Sequence, residues 1–482
     1  MDPQTTARLA HRRLLAACAA GLVVAVLTAA TPAAADHGAT EARVVVDASR
    51  FEPFKAEVAP GGTVTWEVRQ GGHTLVADDG RFGFSGDDGG ALPVGATPSF
   101  TVGEDEEVIR YHCSIHGVGM SGAIVVGHPK PLVDDPAVIA VPGDGPVPMT
   151  IEGAVAAAEP GTRIEIAPGR YTVSEQVEVD LHDDDELPHG VTIVGMGADP
   201  SDVVVDVALV PQQGAADAVF HVTGAFVTMT NLTVDASNVS GAGAGIHLDG
   251  ANQAALSDVV VDGGDWARDG VRLTGASGAG LDRVVVGGVL RAGIRIEPCA
   301  ACGVRIGHAD LSGGLVGVLA GGARGVVVRD SLIRGNAAGV IARQENGRLS
   351  TVQVSGNQIT DNDLREGLPA ATDADRRLAT GAGVWLDGDT DSEVTGNMIA
   401  GGTFGVAVSG GARDVTVSDN TLTGNGTDLA WDGIGVTTCF ADHADEASSA
   451  PPAIQTLYPC DRPTVGVAYP LVNAALLQAA YT

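Results

Sequence analysis

Lysine is almost missing from this sequence: Lys55 and Lys130 are the only two in 482 residues. With 28 basic side chains against 60 acidic ones, the formal charge is −32. Phosphate backbones are repelled by such a surface, which argues against nucleic acid as a partner. Aromatics are scarce too, at 4%. Few aromatics, 67 glycines and many short Val/Ile runs point away from a helical protein and toward repetitive β-structure. Beyond Ala30 no apolar run reaches the roughly 18 residues of a spanning helix, so no membrane span is expected there. Cysteine is sparse, with six residues.

What is present begins with a targeting segment. Arg8, Arg12 and Arg13 precede an apolar run from Leu14 to Ala30, and Ala33-Ala34-Ala35 supplies a small-residue cleavage site before Asp36. Residues 1–35 therefore read as a signal peptide and the mature chain as extracytoplasmic, in the periplasm or cell wall. Cys18 leaves with that segment. Of the other cysteines, Cys113 belongs to a motif described below, and Cys299, Cys302, Cys439 and Cys460 remain. An even remainder in an exported chain suggests two disulfides. Cys439 with Cys460 would close a C-terminal loop. Cys299-Ala-Ala-Cys302 reads as a tight local bridge, with a redox or metal pair as the alternative.

Residues 36–128 read as short strands: Ala42–Asp47, Thr63–Val68, Phe100–Val102, Val108–His112 and Ala123–Val126, with a turn at Pro60-Gly61-Gly62. Strands at this spacing suggest an antiparallel sandwich. The informative segment is Tyr111-His112-Cys113-Ser114-Ile115-His116-Gly117-Val118-Gly119-Met120. A thiolate, an imidazole and a thioether lie within eight residues, and His73 lies on a turn after Thr63–Val68. Two His, one Cys and a weak axial Met form the ligand set of a type 1 copper ion. Zinc more typically recruits further thiolate or histidine and no thioether. His112 alternates to the opposite face of its strand and is read as a non-ligand. The acidic run Glu104–Glu107 is read as a solvated turn. Phe51-Glu52-Pro53, the stretch from Val58 to Trp66, and Tyr111-His112-Cys113-x-x-His116 resemble plastocyanins, halocyanins and amicyanins. That resemblance implies a cupredoxin fold binding one copper ion through His73, Cys113, His116 and Met120. Three residues separate His116 from Met120, against two in amicyanins and usually four in plastocyanins, which leaves the loop shape open.

Pro129–Pro146 is rich in Pro, Asp and Gly and reads as a linker. A short helix is expected from Thr150, through Ile151, Val155 and Ala158. A Gly-apolar-x-apolar unit then recurs at glycines 245, 270, 293, 317, 339, 383, 405 and 433, in steps of 22–28 residues save one of 44. The long step fits two turns, or one turn with an insertion. Second strands ending in Asn or Asp turns lie between the units, at Asn357, Asn397 and Asn420 among others. This period predicts a parallel β-helix over 147–440, its coils stacked into one core with Asn ladders at the turns. Residues 441–482 are expected to cap it. The region resembles right-handed parallel β-helix proteins of the pectate-lyase-like superfamily, and most of all a periplasmic family tied to copper-enzyme maturation. The fold class expected is all-β: a cupredoxin β-sandwich followed by a right-handed parallel β-helix.

Catalytic carboxylates are harder to read. Asp180-Leu181-His182 through Glu186 is taken as a solvated loop, with calcium as the next option. Asp262, Asp265, Arg268 and Asp269 could bind a uronate or merely decorate the solenoid. Asp387, Asp389 and Asp391 are spaced like calcium ligands, but nothing completes an EF-hand. Asp363–Thr380 interrupts the period and is expected to protrude. Histidines 182, 189, 221, 247 and 308 are scattered; isolated residues are the simpler account, with a second copper site as the alternative. The leading expectation is an electron-transfer copper protein with a redox partner, whose β-helix binds a partner or an extracellular polysaccharide. Copper delivery to another enzyme is the first alternative; a polysaccharide lyase or hydrolase is the second.

Overall fold

A computed structural model of the chain describes residues 40–47, 50–52, 55–69, 73–77, 80–86, 90–103, 107–114, 117–126, 138–142, 148–180, 190–208, 216–363, 373–441, 443 and 447–461. The expected signal segment, the loop His182–Glu186, most of the expected linker and the tail 462–482 lie outside these residues. So do the acidic residues Glu104–Glu106, and His182 and His189 among the scattered histidines.

Alternating burial organises the N-terminal region. Thr63–Val68 points Val64, Trp66 and Val68 inward and its threonines outward, the period-2 pattern of a half-buried strand. It pairs with Glu41–Asp47 and Ser99–Thr101, and Glu41–Asp47 also pairs with Arg50–Glu52. A second sheet runs in the order Lys55–Val58, Gly117–Val126, Glu107–Cys113, Leu75–Ala77, Gly83–Phe84. Inward residues of both sheets form one core, in which Trp66, Phe82, Tyr111 and Phe51 pack ring against ring. Two pairings are parallel rather than antiparallel: Glu41–Asp47 with Thr63–Val68, and Lys55–Val58 with Gly117–Val126. The reason is topological. The chain crosses into the second sheet at Lys55–Val58 before returning, so neither pair is joined by a hairpin.

The rest is a right-handed parallel solenoid built on a 20-stranded and an 11-stranded sheet. Its first strand, Val138–Val141, lies inside the stretch read as a linker and pairs parallel with Arg163–Ile166. The expected helix is Ile151–Ala156, capped by the Thr150 hydroxyl, which accepts from the Gly153 N–H at 3.1 Å. Ile151, Ala154 and Val155 turn inward and cover the open end of the core. At the other end Trp431, Phe440 and Tyr458 close it, pinned by the Cys439–Cys460 disulfide. Cys299 and Cys302 are bonded as well, and Cys113, which is buried, belongs to neither disulfide.

Coil corners explain the repeat. Residues in the left-handed region recur at one corner: Asn231, Asp258, Arg283, His308, Asp330, Gly356, Gly396 and Asp419. The residue after that corner turns inward, and the expected ladder is present there. The Asn357 side-chain N–H donates to the Asn397 carbonyl at 3.0 Å, and Asn397 donates to Asn420 at 2.9 Å. A second ladder joins Asn336 to Asn362 at 2.9 Å. The repeated glycines mark another column. A Cβ on Gly245, Gly270, Gly293, Gly317 or Gly383 would stand 2.7–3.0 Å from the carbonyl oxygen of the next coil. Glycine is needed there because backbone meets backbone. Val340 pairs directly with Val384, so the 44-residue step is one coil with an insertion. Gly433-Ile434 does not belong to the column: Leu429 follows Val406 in register, which puts Asp428 at that position.

These contacts set a stability test. Gly317→Ala brings a methyl against the Gly339 carbonyl and Ile333, and should cost about 1–3 kcal/mol. Gly287→Ala, where nothing lies within 4 Å, should leave stability within about 0.5 kcal/mol. Urea denaturation of both variants checks the contrast; equal loss would remove the steric account of the repeat.

Candidate metal centre

Register brings the N-terminal candidates together. Leu75–Ala77 pairs antiparallel with Glu107–Cys113, matching Val76 to His112 and Ala77 to Tyr111. Continuing that ladder sets Thr74 opposite Ser114 and carries His73 beside Cys113, across forty residues of sequence. His73 is fixed from its other side, because its carbonyl accepts the Leu92 N–H at 2.7 Å. Both side chains are fully buried, and His73 Nδ1 lies 3.9 Å from Cys113 Sγ.

Thr74 ties the two segments. Its N–H points at Cys113 Sγ from 3.4 Å, and its hydroxyl lies 3.8 Å from the same sulfur. The same hydroxyl oxygen accepts the Ser114 N–H at 2.8 Å and lies 2.7 Å from Ser114 Oγ. A sulfur faced by two donors is suited to the thiolate form. Nothing in the sequence had singled out Thr74. Its signal is its position, one residue beyond His73 and in ladder register with the residue after Cys113. Past Cys113 the ladder slips: His112 pairs with Ser121 but Cys113 with Gly117, so a bulge occupies 118–120. The backbone of Met120 lies in that strand, while its side chain and all of His116 lie outside the described residues. Of the four expected ligands, the structure thus describes His73 and Cys113, as neighbours.

The carboxylates of the solenoid take structural roles. Asp269 is fully buried and accepts from Arg272 Nε at 3.1 Å and Arg291 Nε at 2.8 Å. Arg268 holds Asp375 through both oxygens, at 2.9 and 3.0 Å, and so anchors the insertion that interrupts the period. Asp262 caps its own turn by accepting the Gly264 N–H at 3.0 Å. Asp387, Asp389 and Asp391 do not converge: Asp389 is fully buried, and the Asp391 side chain is 59% exposed. Among the described residues no three His, Cys, Asp or Glu side chains stand grouped around one ion.

The histidines are less scattered than the sequence suggested. His221 and His247 are register partners on adjacent coils, with ring centroids 5.1 Å apart. Burial, and then the Arg272 guanidinium, push His247 below the ordinary imidazole range. His308 sits apart, at a corner, on Asp282 at 2.7 Å. The missed signal was alignment of the coils: Val219-Phe220-His221-Val222 and Gly245-Ile246-His247-Leu248 place both histidines at the x of the repeat.

Comparison with known proteins adds a family match. Residues 224–438 match the model of the NosD family, described as a periplasmic copper-binding protein. In agreement with that match the chain is extracytoplasmic, and among the described residues no helix is long and apolar enough to cross a membrane. No curated protein matches the sequence. Among solved structures, the A-module of mannuronan C-5 epimerase AlgE4 from Azotobacter vinelandii is similar at 16% identity, covering 62% of this chain and 89% of its own, with a TM-score of 0.46. An alginate lyase from a Paenibacillus species is similar at 14% identity, over 65% of this chain and 97% of its own, with a TM-score of 0.37. A pseudoazurin from Sinorhizobium meliloti is 30% identical over 19% of this chain and 77% of its own, with a TM-score of 0.15.

Two measurements check the local chemistry. Thr74→Val keeps the N–H directed at sulfur and removes the acceptor of the Ser114 N–H, so it should cost about 1–3 kcal/mol in metal-free chemical denaturation. Burial pushes the Asp389 carboxyl up to about 8, with smaller contributions from Asp387 and Asp391. Its folded value lies above its unfolded value. The neutral acid is therefore tolerated at low pH, and stability falls as pH rises from the unfolded value through about 8. Asp389→Asn should remove this loss, gaining stability over wild type as pH rises from 4 to 8 in thermal melts; a pH-independent difference would contradict it.

Proposed function

We propose that this chain is an extracytoplasmic copper protein serving the maturation of a copper enzyme. In this reading residues 36–128 form a cupredoxin-type domain holding one copper ion on His73, Cys113, His116 and Met120, and the solenoid is the surface that meets the recipient enzyme. The carrying observation is the match of residues 224–438 to a family described as periplasmic and copper-binding. It favours delivery over the electron carrier that the ligand motif alone had put first.

The donor geometry supports a metal at the first site. Metal–nitrogen and metal–sulfur bonds of roughly 2.0 and 2.3 Å, opened to a trigonal angle of about 120°, span roughly 3.7 Å. Nδ1 of His73 and Sγ of Cys113 are 3.9 Å apart. A soft thiolate with an imidazole suits copper in either oxidation state. The N–H of Thr74 lowers the electron density of the sulfur, a lever on the potential of any ion held there.

One observation favours electron transfer as the second reading. The thiolate and imidazole are wholly buried and tied to two strands. Such a cage changes little between Cu(I) and Cu(II), which suits one-electron exchange and slows release of the ion. The two readings differ in where the copper ends.

The deciding experiment loads the full chain with copper and presents it with an apo copper enzyme. Delivery predicts a thiolate absorption band at roughly 600 nm that disappears as the acceptor gains copper. A band that bleaches with reductant, returns on oxidation and persists beside the acceptor would establish the carrier instead. Loaded chain without such a band, and unchanged by Cys113→Ser, would remove the first site altogether.

A further inference from the structure

Among the described residues, Trp266 is the one aromatic side chain that stands exposed, at 54%. The repeat does not require it. Asp262 pairs with Gly287 and Asp269 with Ala292, so seven steps of chain stand over five in the next coil. The two extra residues lengthen a corner of the solenoid, and the tryptophan is turned out there rather than into the core.

The indole is held still. Its Nε1–H donates to the Val239 carbonyl at 2.8 Å, and the ring passes over Gly241, where an added Cβ would lie 3.8 Å from it. The loop beneath is itself fastened. The Ser240 N–H donates to the Ala216 carbonyl at 2.7 Å, the Ser240 hydroxyl to Asp217 at 3.1 Å, and an Arg272 nitrogen to the Ala242 carbonyl. A ring fixed by its polar handle has little rotamer freedom left to lose when a flat ligand covers it.

The neighbours decide the class of ligand. The exposed residues of the two segments, Ser237, Gly241, Ala242, Asp262, Gly264 and Asp265, bring no second large apolar side chain. A protein interface buries roughly 800 Å² per partner around several large anchors, far more than one ring offers. A pyranose matches the size of the indole. Its axial C–H bonds carry partial positive charge and meet the electron-rich aromatic face, while its rim of hydroxyls meets polar residues. Charge narrows the choice further. Arg268 is spent on Asp375, and Arg272 and Arg291 on Asp269. The exposed charges of this corner, Asp262 and Asp265, are negative, on a chain of −32. They repel a uronate and leave a neutral sugar unopposed.

We propose that Trp266 is a stacking platform for a neutral pyranose of an extracytoplasmic glycan. The platform involves no copper and stands whether or not the copper reading holds.

Tryptophan emission of the full chain, without added copper, tests it. Trp66 and Trp431 are fully buried and Trp385 is half-buried, so Trp266 dominates the red edge of the spectrum and its quenching by acrylamide. Chitohexaose or cellohexaose at millimolar concentration should give a saturable blue shift and protect against acrylamide. Trp266→Ala should weaken binding about tenfold or more in calorimetry, with its circular-dichroism spectrum unchanged. Trp385→Phe should leave the shift in place, and hexagalacturonate should bind more weakly than either neutral sugar. No shift with either neutral sugar, or binding that survives Trp266→Ala, would overturn the proposal, as would tighter binding of hexagalacturonate. A shift produced by phosphatidylcholine vesicles, or by raising the protein concentration, in place of sugar would make a membrane or a second copy the occupant and overturn it too.

Discussion

Parallel in-register stacking governs most of this molecule. Neighbouring strands of a sheet lie about 4.8 Å apart, so equivalent positions of successive coils are forced into contact. Whatever occupies one coil must be compatible with the same position in the next. Apolar columns merge into a continuous core, in which each fully buried Val, Leu or Ile is worth about 1.5–3 kcal/mol. Asparagines stack because each amide both donates and accepts along the column. Glycine recurs where a carbonyl of the next coil leaves no room for a Cβ. The same rule sets His221 on His247.

Stacking also dictates how charge is handled. Like charges repeated down a column repel, and where they do stack, as Asp206 on Asp235, an arginine bridges them. Arg283 spans to Asp258 of the preceding coil, Arg334 to Asp310, and Arg170 to Asp206 and Asp235. Most of these pairs are half exposed and contribute little to stability each. Asp269 is different. It is fully buried between two arginines, and a carboxylate so placed needs a partner to compensate its charge. That need explains why the Asp262–Asp269 turn, attractive as a catalytic cluster in the sequence, is a structural one.

Legibility followed period. The solenoid, its N-terminal helix and the Asn ladder at Asn357, Asn397 and Asn420 could be read in advance, because each is a local pattern repeated at a fixed step. Departures from the period were harder. Gly433 looked like a column glycine, but it is a corner residue of positive φ, and only register shows that Asp428 holds the column position. Val138–Val141 was hidden among Pro, Asp and Gly because its partner strand lies beyond a helix. In the first domain the expected ligand types came from the spacing around Cys113, whereas Thr74 had no such signal. Its role depends on a strand pairing between segments forty residues apart, and no local pattern encodes such a pairing.

The first domain obeys a different constraint. No repeat holds Cys113 beside His73; a single antiparallel pairing does, and Thr74 ties its two strands by accepting the Ser114 N–H. Side chains alternate between the faces of a strand, so a slip of one residue in that pairing would turn one of the two side chains away from the other. Both are fully buried, and so are Leu75 and Tyr111, one on each strand. The apolar packing that fixes the pairing therefore also fixes the distance between sulfur and imidazole.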